Sequence, residues 1–442
     1  MAAKKVKAFV VAIVLIIGIS TSCSSNMENG SSPGSRTGKN GLEILKGNGS
    51  LEQKLTFWTA QQVDMNIKST QQSAVEDFET ANNCGVQITS YPYVELQDKM
   101  LIAVASGQGP DILTVDQIWV PQYAASKFIV TLDELLLNSV IKESNYFSSA
   151  WQAGKYQGRT YAVPFDVGVW ALLYYNKSIF REAGLDPEKP PQTWSEFLET
   201  GRRLTGNGKF GMAAYSGSEA TQCVIDAFTF SAGGAIIDDK GKKAVLNSQA
   251  GVKALDFWKA CAEISPPGTV ARAEEDSFKL FTSGQVAMFF YGEWGQDTIK
   301  ARTPALDYGV ARLPSPEGGE SIGTFGGYNL GINSKCRNKE LAWRFIEYAT
   351  GEEVEKKITM LTPAHKDAAL EYLKEKRKNP EAIYQQLSNS SFRPSVRNYP
   401  EISAVQGVAL QEVLLNQKTP REALNDAAAK IDGLLAGQQG GS

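Results

Sequence analysis

Apolar and polar positions along this chain switch repeatedly between a two-residue and a helical period, which predicts a succession of strands and helices. Lys54 to Trp58 (KLTFW) is a short β-rich run that stops at Thr59-Ala60-Gln61-Gln62, and helical spacing follows from Ser69 to Ala81. Val86 to Tyr91 predicts a second strand. Glu95 to Ala105 sets Leu96, Met100, Ala103 and Val104 at helical spacing, and Gly107 to Pro110 ends that helix. Ile112 to Val115 is a third strand, interrupted at Asp116, and a further helix begins at Val120. Tyr161 to Asn176 (YAVPFDVGVWALLYYN) is extended and apolar around a Pro-Phe-Asp interruption, a natural place for the chain to cross between lobes. Thr193 to Leu204 predicts a helix, with Thr193 as N-cap and Glu196 three residues on to complete a capping box. Strands are predicted near Phe210 to Ala214 and at Val286 to Tyr291, and helices at Ala250 to Glu263 and Glu275 to Ser283. Tyr308 to Leu313 and Tyr328 to Ile332 look like strands returning toward the first lobe. From Lys339 onward the pattern is almost all helical, broken by Pro363, Pro380 and the stretch from Phe392 to Pro400. Such β-α alternation implies mostly parallel sheets covered by helices on both faces, an α/β fold.

The first fifty residues follow a different rule. Lys4, Lys5 and Lys7 precede an uncharged run from Ala8 to Ile19, and Ser20-Thr21-Ser22-Cys23 then supplies small residues for a signal peptidase, so residues 1–22 are expected to be an export signal. The apolar run is shorter than the roughly 20 residues a spanning helix needs. Cleavage before Cys23 would leave a cysteine able to carry lipid chains, although Ser20 stands where a lipobox prefers Leu, Ile or Val. Residues 23–50 have little to bury and are expected to be a tether. The composition turns ordinary from Leu51, and nearly four hundred residues imply two lobes.

Charge and composition then exclude several classes. The formal net charge of −3 comes from 45 basic and 48 acidic residues, interspersed, which argues against a nucleic-acid partner. Cys84, Cys223, Cys261 and Cys336 lie far apart with no C-x-x-C, so neither a zinc site nor a disulfide framework is indicated, and no metal or cofactor is expected. His365, the single histidine, sits in a charge-dense segment expected to be a solvated helix face.

In open α/β sheets, ligands bind beyond the carboxyl ends of the strands. Counting forward from the predicted strands selects Thr59, Gln61 and Gln62, then Asp116 and Trp119, then Gly292, Glu293 and Trp294, and the interrupted crossing adds Asp166 and Trp170. Carboxylates and tryptophans recur at these places. A sugar offers partners for both, because its C–H faces can lie on an indole and its hydroxyls can donate in pairs to a carboxylate. Trp58, Trp170 and Trp294 are therefore candidate platforms, Asp116 and Asp166 candidate hydroxyl acceptors, and Arg393 a candidate donor. Each has a plainer reading: the tryptophans as core, the aspartates as caps, Arg393 as an ion-pair partner within its lobe.

Six segments in order, LTFWT, ASGQGPDILTVDQIWVPQYA, YAVPFDVGVWALLYYNKSIFREAGLDPEKPPQTWSEF, AMFFYGEW, TFGGYNLGINS and FRPSVRNYPEI, give the chain from Leu51 to Leu435 a further character. It resembles the carbohydrate-binding extracellular solute-binding proteins of ABC importers, the class that includes the maltose-binding proteins. The resemblance implies a two-lobe clamp of the type II periplasmic-binding-protein kind, with residues 51–165 and 328–380 in lobe 1 and 166–327 and 381–435 in lobe 2. Crossings are expected near Pro164 to Gly168, near Phe325 to Tyr328, and within Lys376 to Ile383. It supports Asp116, Asp166, Trp294, Gly327, Tyr328 and Arg393 as cleft residues. It further implies a monomer, anchored through lipid on Cys23 and facing the extracellular side or periplasm, that hands a small carbohydrate to ABC permease subunits. Two other readings stay open: a glycoside hydrolase using Asp116 and Asp166, and a binding protein for a sugar phosphate, peptide or polyamine, or for a sensor.

Overall fold

Two sheets share one long segment of chain, and the point where the chain leaves one for the other fixes the architecture. The computed structural model describes residues 43–45, 53–60, 67–217, 219–359 and 361–437. Its strands are β1 (Glu43–Leu45), β2 (Lys54–Ala60), β3 (Gly85–Tyr91), β4 (Ile112–Asp116), β5 (Lys155–Tyr156), β6 (Arg159–Thr160), β7 (Ala162–Trp170), β8 (Leu172–Asn176), β9 (Phe210–Met212), β10 (Val286–Tyr291), β11 (Tyr308–Ala311), β12 (Gly323–Ile332), β13 (Thr362–Pro363) and β14 (Ser390–Phe392). The large sheet runs β1-β3-β2-β4-β12-β7-β13 with β14 beside β12, the small one runs β11-β8-β10-β9, and β5 and β6 form a separate pair.

Tyr161 to Asn176 is extended, as its apolar run predicts, but Ala171 breaks it with φ +70. β7 stays in the large sheet while β8 enters the small one, so the change of sheet comes at Ala171. Pro164 to Gly168 and Phe325 to Tyr328 lie within β7 and β12 and pair with each other there. Tyr308 to Ala311 does not return to the first lobe. It pairs with β8 and closes the edge of the small sheet.

The sheets are mixed rather than mostly parallel. β2, β3 and β4 are parallel, as β-α-β units must be, whereas β12 runs antiparallel to both β4 and β7, and β8 antiparallel to β10 and β11. The strands that bring the chain from one lobe to the other break the parallel order, and β-α alternation carries no signal of that reversal.

The helices follow their local chemistry. Residues Tyr93–Ser106 stop at Gly107, which takes the left-handed conformation at φ 64. Residues Trp194–Arg203 begin with the capping box of Thr193 and Glu196. The small lobe closes around an aromatic core in which Phe290 of β10 stacks on Phe197 at 4.8 Å and meets Phe228 at 5.3 Å. No described helix is long and apolar enough to cross a membrane. Cys84, Cys223, Cys261 and Cys336 are buried free thiols. His365 is not on a solvated face: it is 9% exposed, stands at the N-cap position of the helix Lys366–Lys376, and lies edge-on to Tyr146 at 5.7 Å. The charge of that segment lies on the residues that follow His365, Lys366 and Asp367 in the first turn and Glu371 to Lys376 further on.

Candidate functional site

β4 and β14 occupy the same side of β12, end to end. β4 is antiparallel to β12 with Asp116 opposite Tyr328, and β14 is parallel to it with Phe392 opposite Phe325. Their carboxyl ends therefore face each other across Gly326 and Gly327. That topology brings together residues almost three hundred positions apart, and the Nη2 of Arg393, just past β14, donates to the Oδ1 of Asp116 at 3.3 Å. Gln117 bridges the same gap by donating its side-chain amide to the Phe325 carbonyl.

On the other side of β12, Tyr328 is also opposite Asp166 of β7, so Asp116, Tyr328 and Asp166 form a row across three strands. Directly opposed residues project to one face. The Asp166 Oδ1 accepts the Tyr328 N–H at 2.9 Å. Gly327 makes the close approach possible. Its φ is +122, and a Cβ there would lie 2.3 Å from the Asp166 carbonyl oxygen.

Asp116 is held by three donors. Besides Arg393, the Ile118 N–H reaches Oδ1 at 3.2 Å and the Tyr93 hydroxyl reaches Oδ2 at 3.0 Å. Tyr93 stacks on Trp119 with ring centroids 5.6 Å apart. Burial pushes the Tyr93 and Tyr328 hydroxyls well above their usual range, and the Asp116 charge beside both adds to it. Arg393 continues into the small lobe, where its Nη1 donates to Glu219 Oε1 at 3.2 Å and its guanidinium lies 5.6 Å from the Tyr399 ring. Glu219 opens the helix Glu219–Ser231, and the Ser403 hydroxyl bonds its other oxygen.

Trp170 and Trp294 meet edge to face with centroids 4.5 Å apart. Glycines make room for both rings: a Cβ on Gly326 would lie 2.2 Å from the Trp170 Nε1, and one on Gly292 would lie 2.0 Å from the Trp294 ring. Trp170 belongs to β7 of the large sheet while Trp294 follows β10 of the small one, so the pair joins the two lobes.

The candidate residues thus divide by depth. Asp116, Asp166 and Arg393 are 6%, 2% and 4% exposed, while Tyr93, Tyr328, Trp170 and Trp294 are half-buried in front of them. Glu293 needs correction. It is wholly buried, and its Oε1 accepts the Thr362 N–H at 3.0 Å and the Thr362 hydroxyl at 2.7 Å, clasping β13 from the small lobe. Burial holds its carboxyl above the usual range against the pull of Arg377, so it requires those donors and turns toward them. Trp119 is 2% exposed and serves as the floor under Tyr93. Trp58 is half-buried and lies edge-on to Tyr91 at 5.4 Å. Thr59 accepts a hydrogen bond from the Thr114 hydroxyl. Gln61, Gln62 and Cys23 lie outside the described residues. Tyr93 and Glu219 belong to the constellation and were not predicted. Applied to β3, the strand-end count gives Pro92 and Tyr93. Glu219 carries no such signal, because it follows no predicted strand end and opens a helix that is buried along nearly its whole length, polar residues included.

A segment spanning two thirds of the chain, residues 65–356, matches the family described as bacterial extracellular solute-binding protein. The chain belongs to that family. Among its relatives, the galactooligosaccharide-binding protein of Bacillus subtilis is 26% identical over 407 residues, covering 88% of this chain and 91% of that protein. The maltotriose-binding protein of Pyrococcus abyssi is 26% identical over 343 residues, covering 76% and 67%. Among solved structures, a solute-binding protein of an ABC transporter from Thermotoga lettingae, bound with α-D-tagatose, has a TM-score of 0.76 at 29% identity and covers 87% of this chain and 100% of its own. Maltose-bound MalE3 of T. maritima has a TM-score of 0.72 at 25% identity, covering 86% and 99%. These neighbours share the type II two-lobe clamp.

Proposed function

We propose that this solute-binding protein takes a small carbohydrate between its lobes and delivers it to an ABC importer. The supporting observation is the constellation itself: Trp170, Trp294, Tyr328 and Tyr93 present half-buried rings backed by the fixed charges of Asp116, Asp166 and Arg393. Indole faces suit the C–H faces of a sugar, and a tyrosine hydroxyl held by a carboxylate, as that of Tyr93 is by Asp116, has a fixed orientation toward a further partner. The relatives named for galactooligosaccharide and maltotriose, and the neighbours holding tagatose and maltose, support the same class of ligand.

In this reading the lobes are residues 51–165 with 328–380 and residues 166–327 with 381–435, except that the first passes to the second at Ala171, where the chain changes sheet, so that Trp170 stays with the first; Cys23 carries the lipid that keeps the clamp at the membrane face. A ligand favours closure only by contacting both lobes, and the Trp170–Trp294 pair offers one surface from each. A transport protein must also release its cargo, so affinity is expected at about micromolar, roughly −8 kcal/mol. A thermal-shift screen of the mature protein against mono- and oligosaccharides tests the reading. A raised melting temperature with a sugar supports it, whereas stabilisation by amino acids or peptides and by no sugar refutes it.

A further inference from the structure

Arg393 is the cation of the cleft constellation, and both ends of its fork are occupied by carboxylates. Nη2 is on Asp116 of the large sheet at 3.3 Å, Nη1 is on Glu219 of the small lobe at 3.2 Å, and the side chain is 3% exposed. The Asp116 side chain is also enclosed, at 9%, whereas that of Glu219 is 38% exposed and is the outer member of the triad. Two carboxylates against one guanidinium leave an excess of negative charge, with Asp166 two strands from Asp116 in the same row.

The Arg393 Nε has no hydrogen-bond partner among the described residues but is itself buried, so an anionic ligand that sought the guanidinium would have to open the enclosure and displace one of these carboxylates. Displacing Asp116 strands a buried charge. Displacing Glu219 leaves it facing both Asp116 and the incoming anion. Ligand hydroxyls meet neither penalty, since they can donate to the carboxylates without removing them. We propose that Glu219 is a charge-specificity residue of the cleft: by holding Arg393 against Asp116 it withholds the guanidinium from anions and restricts the site to uncharged glycans. This rests on the carbohydrate reading above and adds to it which carbohydrates are refused.

The test is calorimetric titration of matched neutral and C6-carboxylate sugars into the purified protein: glucose and glucuronic acid, galactose and galacturonic acid, galactotriose and trigalacturonic acid, and maltotriose with its C6-oxidised form. The wild type should bind the neutral member of a recognised pair at least tenfold more tightly than the acid. Glu219→Gln, close to isosteric and at a partly exposed position, should narrow that ratio to less than about threefold by gaining affinity for the acid. Ser403→Ala removes the other partner of Glu219 but leaves Arg393 in place, and should keep the wild-type ratio. A general loss of stability would weaken both members of a pair and leave the ratio unchanged. Equal wild-type binding of both members, or an unchanged ratio in Glu219→Gln, overturns the proposal alone. Binding of no member of any pair overturns the carbohydrate reading and this proposal with it.

Discussion

Trp294 lies over Gly292 and against Trp170 and Tyr291, half-buried where the two sheets meet, and in the proposed function its ring is a platform for the sugar. Trp294→Ala is expected to reduce sugar affinity at least tenfold, about 1.4 kcal/mol, in calorimetry, while circular dichroism shows the fold unchanged. Trp58→Ala should keep affinity within about threefold, because that ring lies against Tyr91 on β3 and none of its ring contacts is with the Trp170–Trp294 pair. A loss as large as that of Trp294→Ala would place Trp58 in the site. At this scale the sequence was informative about residue type and position along the chain but not about depth. Strand-end counting selects Asp116 because a strand stops there, yet it cannot foresee that Tyr93, Ile118 and Arg393 enclose it. Glu293 fails for the same reason, since the donors that bury it come from Thr362, sixty-nine positions away.

Local elements with their own punctuation were legible, and those defined by distant partners were not. The capping box at Thr193 and the glycine stop at Gly107 fix their helices from within a few residues. The helix Glu219–Ser231 is buried along nearly its whole length and shows no amphipathic period, so only its packing between β12 and the helix Tyr399–Leu414 reveals it. β14 and β13, three and two residues long, exist only because β12 and β7 offer them edges. The same dependence makes β12 sensitive at one point. Gly327→Ala puts a Cβ 2.3 Å from the Asp166 carbonyl at φ +122, which strains both the residue and its pairing with β7. Destabilisation of about 2 kcal/mol or more is expected as a lower urea midpoint, and a midpoint equal to the wild type would mean the bulge relaxes freely. Thr362→Val tests the clasp. It removes one of two donors to the buried Glu293 Oε1 and should cost about 1–3 kcal/mol by the same measurement, unless Glu293 takes up a proton and turns elsewhere.

The molecule as a whole stores several carboxylates in places that favour their neutral forms. Asp226 is fully buried beneath Arg393 and Glu219, accepting from Gln406 Nε2 at 2.7 Å and from the Tyr399 hydroxyl at 3.3 Å, and burial raises it from 3.8 to about 7. Burial likewise raises Glu274 to about 8 and lifts Glu293 and Glu355 above the usual range, while Glu219, also raised by burial, is drawn back toward its charged form by Arg393 and Ser403. For an acid whose folded-state value lies above its unfolded one, the native state holds the proton longer, so its stabilising contribution is complete below about pH 4 and is lost as pH rises toward the folded value. Asp226 therefore acts against the fold between about pH 4 and 7. The sign is opposite for Asp133, whose carboxyl is held low by the Thr160 N–H, Arg159 and Thr131 despite some burial, and which favours the fold above the ordinary aspartate range. Because such groups offset one another in the total, the difference between two proteins is the decisive quantity. Asp226→Asn mimics the protonated acid at every pH, so the variant should match the wild type near pH 4 apart from a constant offset and gain on it steadily up to about pH 7, then run parallel. At about 1.4 kcal/mol for each pH unit over which only the unfolded chain ionises, the gain appears as a melting-temperature gap of a few degrees. Differential scanning calorimetry from pH 4 to 8 measures it, and a gap that stays constant across that range would show that Asp226 does not titrate there.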